Sequence, residues 1–249
     1  MATVLVPLPD HDYDTTEVAV PWRMLRDRGH RVVFATERGD VRPECDPLLL
    51  SGVLFGKLGA EPEPKRFYAE MLESPELKKP VPWASLDPGA FDALLLPGGH
   101  APGMKQYLGS AELQRFIATF WKTGKPVAAI CHGVLPLARS VDPETGKSVL
   151  FGHKTTCLPK YMERSAYMLT FWKLGRYYRT YDAYVEDEVR AALRDEADFV
   201  RGPRALTARG TADDDAPAFV VEDGAYVSAR WPGDAYLFAK RLIERLSAP

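Results

Sequence analysis

Cys131 and His132 stand side by side in the stretch KPVAAICHGVLPLA, residues 125–138. A thiol and an imidazole can serve as nucleophile and base, and their surroundings say how they are displayed. Lys125-Pro126 opens an apolar run from Val127 to Ile130; Gly133 follows the pair at once, and a second apolar segment begins. That order reads as strand, sharp turn and helix, the arrangement that lifts a nucleophile above the end of a sheet in α/β enzymes. A cysteine at the start of a helix meets free backbone N–H groups and the positive end of the dipole, which favour thiolate. The competing reading is a small buried hydrophobe, the usual fate of a free cysteine; the elbow pattern around Cys131 favours the nucleophile. Adjacency alone does not make His132 its base. Side chains diverge on a sharp turn, so a third group must fix the imidazole tautomer.

The other reactive residues carry weaker patterns. Asp14-Thr15-Thr16-Glu17 has capping-box spacing, which by itself makes Glu17 a helix-start carboxylate. His100, after Gly98 and Gly99 in FDALLLPGGH, either lines a pocket or faces solvent. His11 and His153 have no partners at metal-ligand spacing, so no metal is expected. Cys45 and Cys157 lie far from each other and from Cys131, with no C-x-x-C, which points to reduced thiols in a cytosol and structural roles for these two. Asp234, in RWPGDA, reads as the N-cap of the last helix. No Walker or G-x-G-x-x-G motif suggests a nucleotide, and no cofactor is expected.

These residues need a scaffold, and the elements alternate to provide one. Residues 2–8 read as a strand, 15–29 as a helix stopped by Gly29, and 30–37 as a second strand, a βαβ unit. Residues 38–90 follow, rich in proline yet carrying Phe55, Phe67, Tyr68 and Trp83. They are too apolar for a disordered linker and are read as a cap insertion over one end of the sheet. The run 91–100 is a continuously apolar strand of the kind buried in a parallel sheet, and 110–124 a helix with Ser110 as cap and Gly124 as stop. Beyond the elbow, 148–158 reads as a strand pair or extended segment and 162–175 as an amphipathic helix. Residues 219–230 form two strands about an Asp-Gly turn, and 234–246 the closing helix. The whole predicts a single α/β domain over 1–249, a doubly wound, mostly parallel sheet between helices, flavodoxin-like.

Bulk properties exclude several classes. With 249 residues, 46% hydrophobic and 27% charged, the chain can build one full core. A net charge of −2 gives no basic footprint, so GRYYRTYDAY (175–184) reads as a half-buried connection and no nucleic-acid partner is expected. The first residues lack a positive flank and read as a strand, not a signal peptide, and no long apolar span suggests a membrane helix.

FDALLLPGGH followed by KPVAAICHGVLPLA resembles the ThiJ/PfpI superfamily, of class I glutamine-amidotransferase-like fold, whose elbow has the form A-x-C-H-G. Gly98-Gly99 and the helix-borne Glu17 match its two other signatures. The 38–90 insertion, PGGH and GHKTTCLPKYME look most similar to the glyoxalase III-like branch, which also holds stress-induced chaperones. The resemblance implies that Glu17 lies beside the cysteine as a proton donor with a raised pKa. It also implies an acid about 30 residues after the cysteine to orient the histidine. Glu163 stands there, although an acid in the first turn of a helix could simply complement the dipole. The N–H groups of His132 and Gly99 are candidates for an oxyanion hole, with Gly98 and His100 beside them.

The implied function is a cofactor-independent, cysteine-dependent enzyme on small reactive carbonyls, converting methylglyoxal to lactate, in a cytoplasmic homodimer. Two rivals stand beside it. An amidase, hydrolase or hydratase would use the same elbow. A holding chaperone or thiol redox sensor would use the apolar insertion instead.

Overall fold

The computed structural model describes residues 1–53, 58–204 and 207–247; Phe55, counted above among the insertion's aromatics, lies outside them. The chain runs β1 (Thr3–Pro7), α1 (Thr15–Asp27), β2 (Arg31–Thr36), α2 (Pro47–Ser51), α3 (Pro62–Leu72), α4 (Pro75–Lys78) and β3 (Val81–Pro82). It continues through β4 (Ala93–Leu96), α5 (Met104–Leu108), α6 (Ala111–Trp121), β5 (Val127–Ile130), α7 (Val134–Arg139), α8 (Lys160–Leu174) and α9 (Val185–Ala192). The hairpin β6 (Val220–Asp223) and β7 (Tyr226–Ala229) and the helix α10 (Ala235–Ser247) close it.

One seven-stranded sheet results, in the order β3-β2-β1-β4-β5-β7-β6, parallel except for β6 against β7. This is the doubly wound, flavodoxin-like α/β sandwich that the alternation predicts. β4 and β5 are buried along their whole length, which is why their sequences are unbroken apolar runs. Helix α1 packs against α3 and α10, and α7 against α6 and α9, forming two helix layers. Because β1, β4 and β5 are parallel neighbours, their carboxyl ends open on one edge of the sheet. The chain reverses its direction of winding at β1, whose neighbours are β2 and β4, and such a switch point is where open α/β sheets bind ligands.

Three segments differ from the sequence reading. The 38–90 interval does more than line a cavity through Leu49, Leu58 and Ala60; it also joins the sandwich: α3 lies on α1, β3 pairs with β2, and the Trp83 indole donates to the carbonyl of Ala35 in β2 at 3.1 Å. Its apolar residues Phe67, Tyr68, Met71, Leu77 and Trp83 join the main core. Residues 148–158 form no full strand but two single bridges, Ser148 with Val141 and Thr155 with Phe199, the latter made by the Thr155 N–H on the Asp198 carbonyl at 2.9 Å; the Thr156 N–H goes to the Ser228 hydroxyl at 3.0 Å. The helix expected at 162–175 is present as α8, yet its amphipathicity is inverted. It buries Glu163 and Thr170 and exposes Met168, Leu169, Phe171 and Trp172. Asp234 is likewise no simple cap: it makes a fully buried, two-pronged ion pair with Arg230 and accepts the N–H groups of Arg230 and Phe219. Among the described residues no helix is long and apolar enough to cross a membrane.

Candidate active site

Three strand ends build the site. β5 ends in an extended Ile130, after which Cys131 takes φ = 59°, left-handed backbone that a residue with a side chain rarely adopts. That strain is the mark of a nucleophile elbow, held here by close packing of the turn on β4. A Cβ on Gly133 would lie 2.1 Å from the Leu96 carbonyl oxygen, so glycine is required at that position.

The start of α1, which follows β1, delivers the carboxyls. Asp14 caps α1, its Oδ1 accepting the N–H groups of Thr16 and Glu17 at 2.8 and 3.0 Å. The capping box goes no further. The Asp14 N–H donates to the carbonyl of Gly98 at 2.9 Å, and Glu17 turns inward instead, its Oε2 accepting the Gly98 N–H at 2.7 Å. Glu17 is fully buried, Oε1 takes no bond from the protein, and the carboxyl lies against the Cys131 thiol. Burial holds its pKa well above the carboxylate range, the charge of Asp14 adds to this, and the Gly98 N–H opposes it. Burial pushes Cys131 up as well, with the charges of Glu17 and Asp14, against the His132 N–H directed at the sulfur. The depression expected of a helix-start cysteine is therefore outweighed by desolvation. Burial and mutual repulsion thus push both groups toward their uncharged forms.

The imidazole of His132 places Nδ1 3.4 Å from Cys131 Sγ and Nε2 3.4 Å from the hydroxyl of Thr180. That hydroxyl donates its own proton to the carbonyl of His100 at 2.6 Å, so toward His132 it can only accept. Nε2 therefore carries the hydrogen and Nδ1 offers its lone pair to the thiol. Burial, with the charges of His100 and Arg139, pushes the His132 pKa down to about 3, which keeps the ring neutral.

Glu163 sits elsewhere than expected. Its Oε2 accepts the N–H of Val185 at 3.1 Å, the first residue of α9, and Oε1 lies 3.6 Å from Arg179 Nε. It does not orient His132. The partner on Nε2 is Thr180, from the segment 175–184 read as a half-buried connection. Glu163 nevertheless lines the same cavity as Cys131, and burial pushes its carboxyl up to about 7 against the pull of Val185 N–H and Arg179. His100 lines that cavity too, stacked on Tyr178 with ring centres 4.2 Å apart, and is kept neutral by burial at about 4. Gly99 lines it at φ = 149°, where a Cβ would meet the Asp12 carbonyl at 2.9 Å. Gly98 is spent on holding Glu17 and Asp14, and a Cβ there would lie 2.8 Å from Glu17 Oε2.

The cavity measures about 220 Å3. Of the three cysteines only Cys131 lines it; Cys45 and Cys157 are buried away from it. Sequence reasoning missed Thr180, Tyr178 and Arg209. The last is a cavity cation packed over Trp231 at 4.9 Å and 3.5 Å from Glu61.

Comparison with known proteins agrees with this fold. A family model described as ThiJ/PfpI family-like matches residues 8–203. The chain belongs to the ThiJ/PfpI family. An uncharacterized protein of Schizosaccharomyces pombe is 29% identical over 242 residues, 95% of this chain and 81% of its own length. Deglycase PfpI of Pyrococcus furiosus is 25% identical over 240 residues, 96% of each chain. Among solved structures, glyoxalase III from Candida albicans superposes with a TM-score of 0.69 at 23% identity, covering 98% of this chain and 97% of that one. At that identity the ThiJ/PfpI likeness carries the fold alone, and the residues of the site must carry the chemistry.

Proposed function

We propose that the protein is a cysteine-dependent enzyme acting on small reactive carbonyls, with conversion of methylglyoxal to lactate as its reaction. The observation that carries this is the strained Cys131 with His132 Nδ1 at 3.4 Å and the buried Glu17 carboxyl, its pKa raised by burial, against the same sulfur. Relatives named deglycase and glyoxalase 3 support a carbonyl substrate.

The reaction is an internal redox exchange, in which one carbon is oxidised as its neighbour is reduced. Cys131 Sγ bonds to the aldehyde carbon while its proton passes to His132 Nδ1, and Glu17 gives its proton to the carbonyl oxygen, forming a hemithioacetal. Glu17, now ionised, removes the hydrogen from that carbon, and His132 protonates the neighbouring oxygen to give an enediol. Glu17 then protonates the second carbon as His132 takes the hydroxyl proton from the first, leaving a thioester of lactate. Water cleaves the thioester, its proton returning to Glu17 and that of His132 to the thiolate.

The test is lactate formation from methylglyoxal by the wild type and by Cys131→Ala. Lactate from the wild type and none above background from the variant is the expected result. No lactate from either, or equal amounts from both, overturns the proposal.

A further inference from the structure

Methylglyoxal has five heavy atoms, and at about 30 Å3 for each water-sized group it leaves part of a 220 Å3 cavity unfilled. The cavity lining is largely apolar: Leu49, Leu58, Met162 and Leu169 of α8, Trp231 and Pro232 contribute to it. Asp14, Thr16, His100 and Glu163, with Tyr161 and Ser165, supply polar groups. Arg209 is balanced by Glu61. A substrate consisting of reactive head alone would leave the apolar wall wet, and wetting apolar surface is unfavourable.

The wall also reaches the surface. Leu58 and Leu169 line the cavity and are still 41% and 58% exposed. Leu169 is followed one turn later by Trp172, whose indole folds back to donate to the Leu169 carbonyl at 3.0 Å. Leu169 of α8 thus carries apolar surface from the cavity lining to the outside, with the Trp172 indole folded back to its carbonyl.

We infer that the substrate of this site is a 2-oxoaldehyde carrying an apolar chain of several carbons, its head at Cys131 and its chain along α8 toward Leu169. The inference rests on the carbonyl reading above and adds the part of the substrate that the head chemistry leaves open. Straight-chain 2-oxoaldehydes of three, four and six carbons, the first being methylglyoxal, test it. Each buried methylene contributes about 0.8 kcal/mol, so kcat/KM should rise about fourfold per carbon, on the order of fiftyfold from the first to the last. Leu169→Asp should cut the six-carbon to three-carbon ratio at least fivefold, while Leu50→Asp, exposed and outside the cavity lining, leaves that ratio unchanged.

Turnover of methylglyoxal with a flat or falling series overturns the chain and leaves the glyoxalase reading standing. If none of the three is turned over, the glyoxalase reading falls and binding decides the chain. Saturated aldehydes from propanal to octanal should then protect Cys131 from iodoacetamide increasingly with length, whereas equal protection, or none, overturns the inference.

Discussion

Replacing Thr180 by valine keeps the volume of the side chain and removes the hydroxyl oxygen that faces His132 Nε2. Two things follow from the geometry. The imidazole N–H, buried with its ring, loses its acceptor, and the preference for hydrogen on Nε2 over Nδ1 goes with it. A buried donor left unsatisfied costs ~1–3 kcal/mol, and the 3.4 Å separation places this one at the lower end. About 1 kcal/mol is a factor of about five in the population of the competent tautomer. Hydrogen on Nδ1 would point at the sulfur and could not take its proton, so kcat on methylglyoxal should fall about five- to tenfold with KM little changed.

Because burial holds the ring neutral down to about pH 3, charge does not enter between pH 5 and 8, and the loss should be uniform across that range. The assay pairs kcat with nitrogen-15 spectra of the His132 ring, which report which nitrogen bears hydrogen. Thr180→Ser keeps the hydroxyl and should restore both. Full activity in Thr180→Val, an unchanged tautomer, or a serine variant as impaired as the valine one would refute the role.

Glu17→Gln keeps an oxygen for the Gly98 N–H, so the melting temperature should barely move, while turnover should drop about a hundredfold or more because an amide cannot shuttle a proton; full activity would leave His132 as the only base. Glu163 titrates near 7 when folded against a usual value of 4.5, so the folded state holds the extra proton between those values, and stability should decline as pH rises from about 4.5 to about 7. At ~1.4 kcal/mol per unit the decline attributable to Glu163 is at most about 3.5 kcal/mol. Glu163→Gln should flatten it in denaturant titrations at pH 5 and pH 8, and an unchanged slope would assign it to other groups.

Much of this fold was legible because its signals are local. The unbroken apolar runs of β4 and β5, the Asp-Gly turn between β6 and β7 and the glycine after α1 each follow from nearest neighbours in the chain. What escaped depended on distant partners. Residues 148–158 look like a strand pair, yet the fold gives them only single bridges to Val141 and Phe199. Thr180 gives no sign in sequence of lying beside His132, 48 residues earlier. Glu163 had the right spacing for an orienting acid, but α9 begins at Val185, and the unpaired N–H at that helix start takes the carboxylate.

Glu17 shows the same competition from the other side. Asp14 to Glu17 has every residue a capping box needs, and the Asp14 half forms. For the second half, Glu17 would have to accept the N–H of Asp14, and the Gly98 carbonyl already does so. The end of β4 thus closes the cap from outside the helix and offers Glu17 a different donor, the Gly98 N–H, on the side facing Cys131. Only a residue without a Cβ permits this approach, since one at position 98 would stand 2.8 Å from the carboxyl oxygen and 2.7 Å from His132 N. One glycine at a strand end therefore converts a stabilising helix-start carboxylate into a buried acid beside a thiol, which is why the capping pattern and the proton-donor role can both be read from the same four residues.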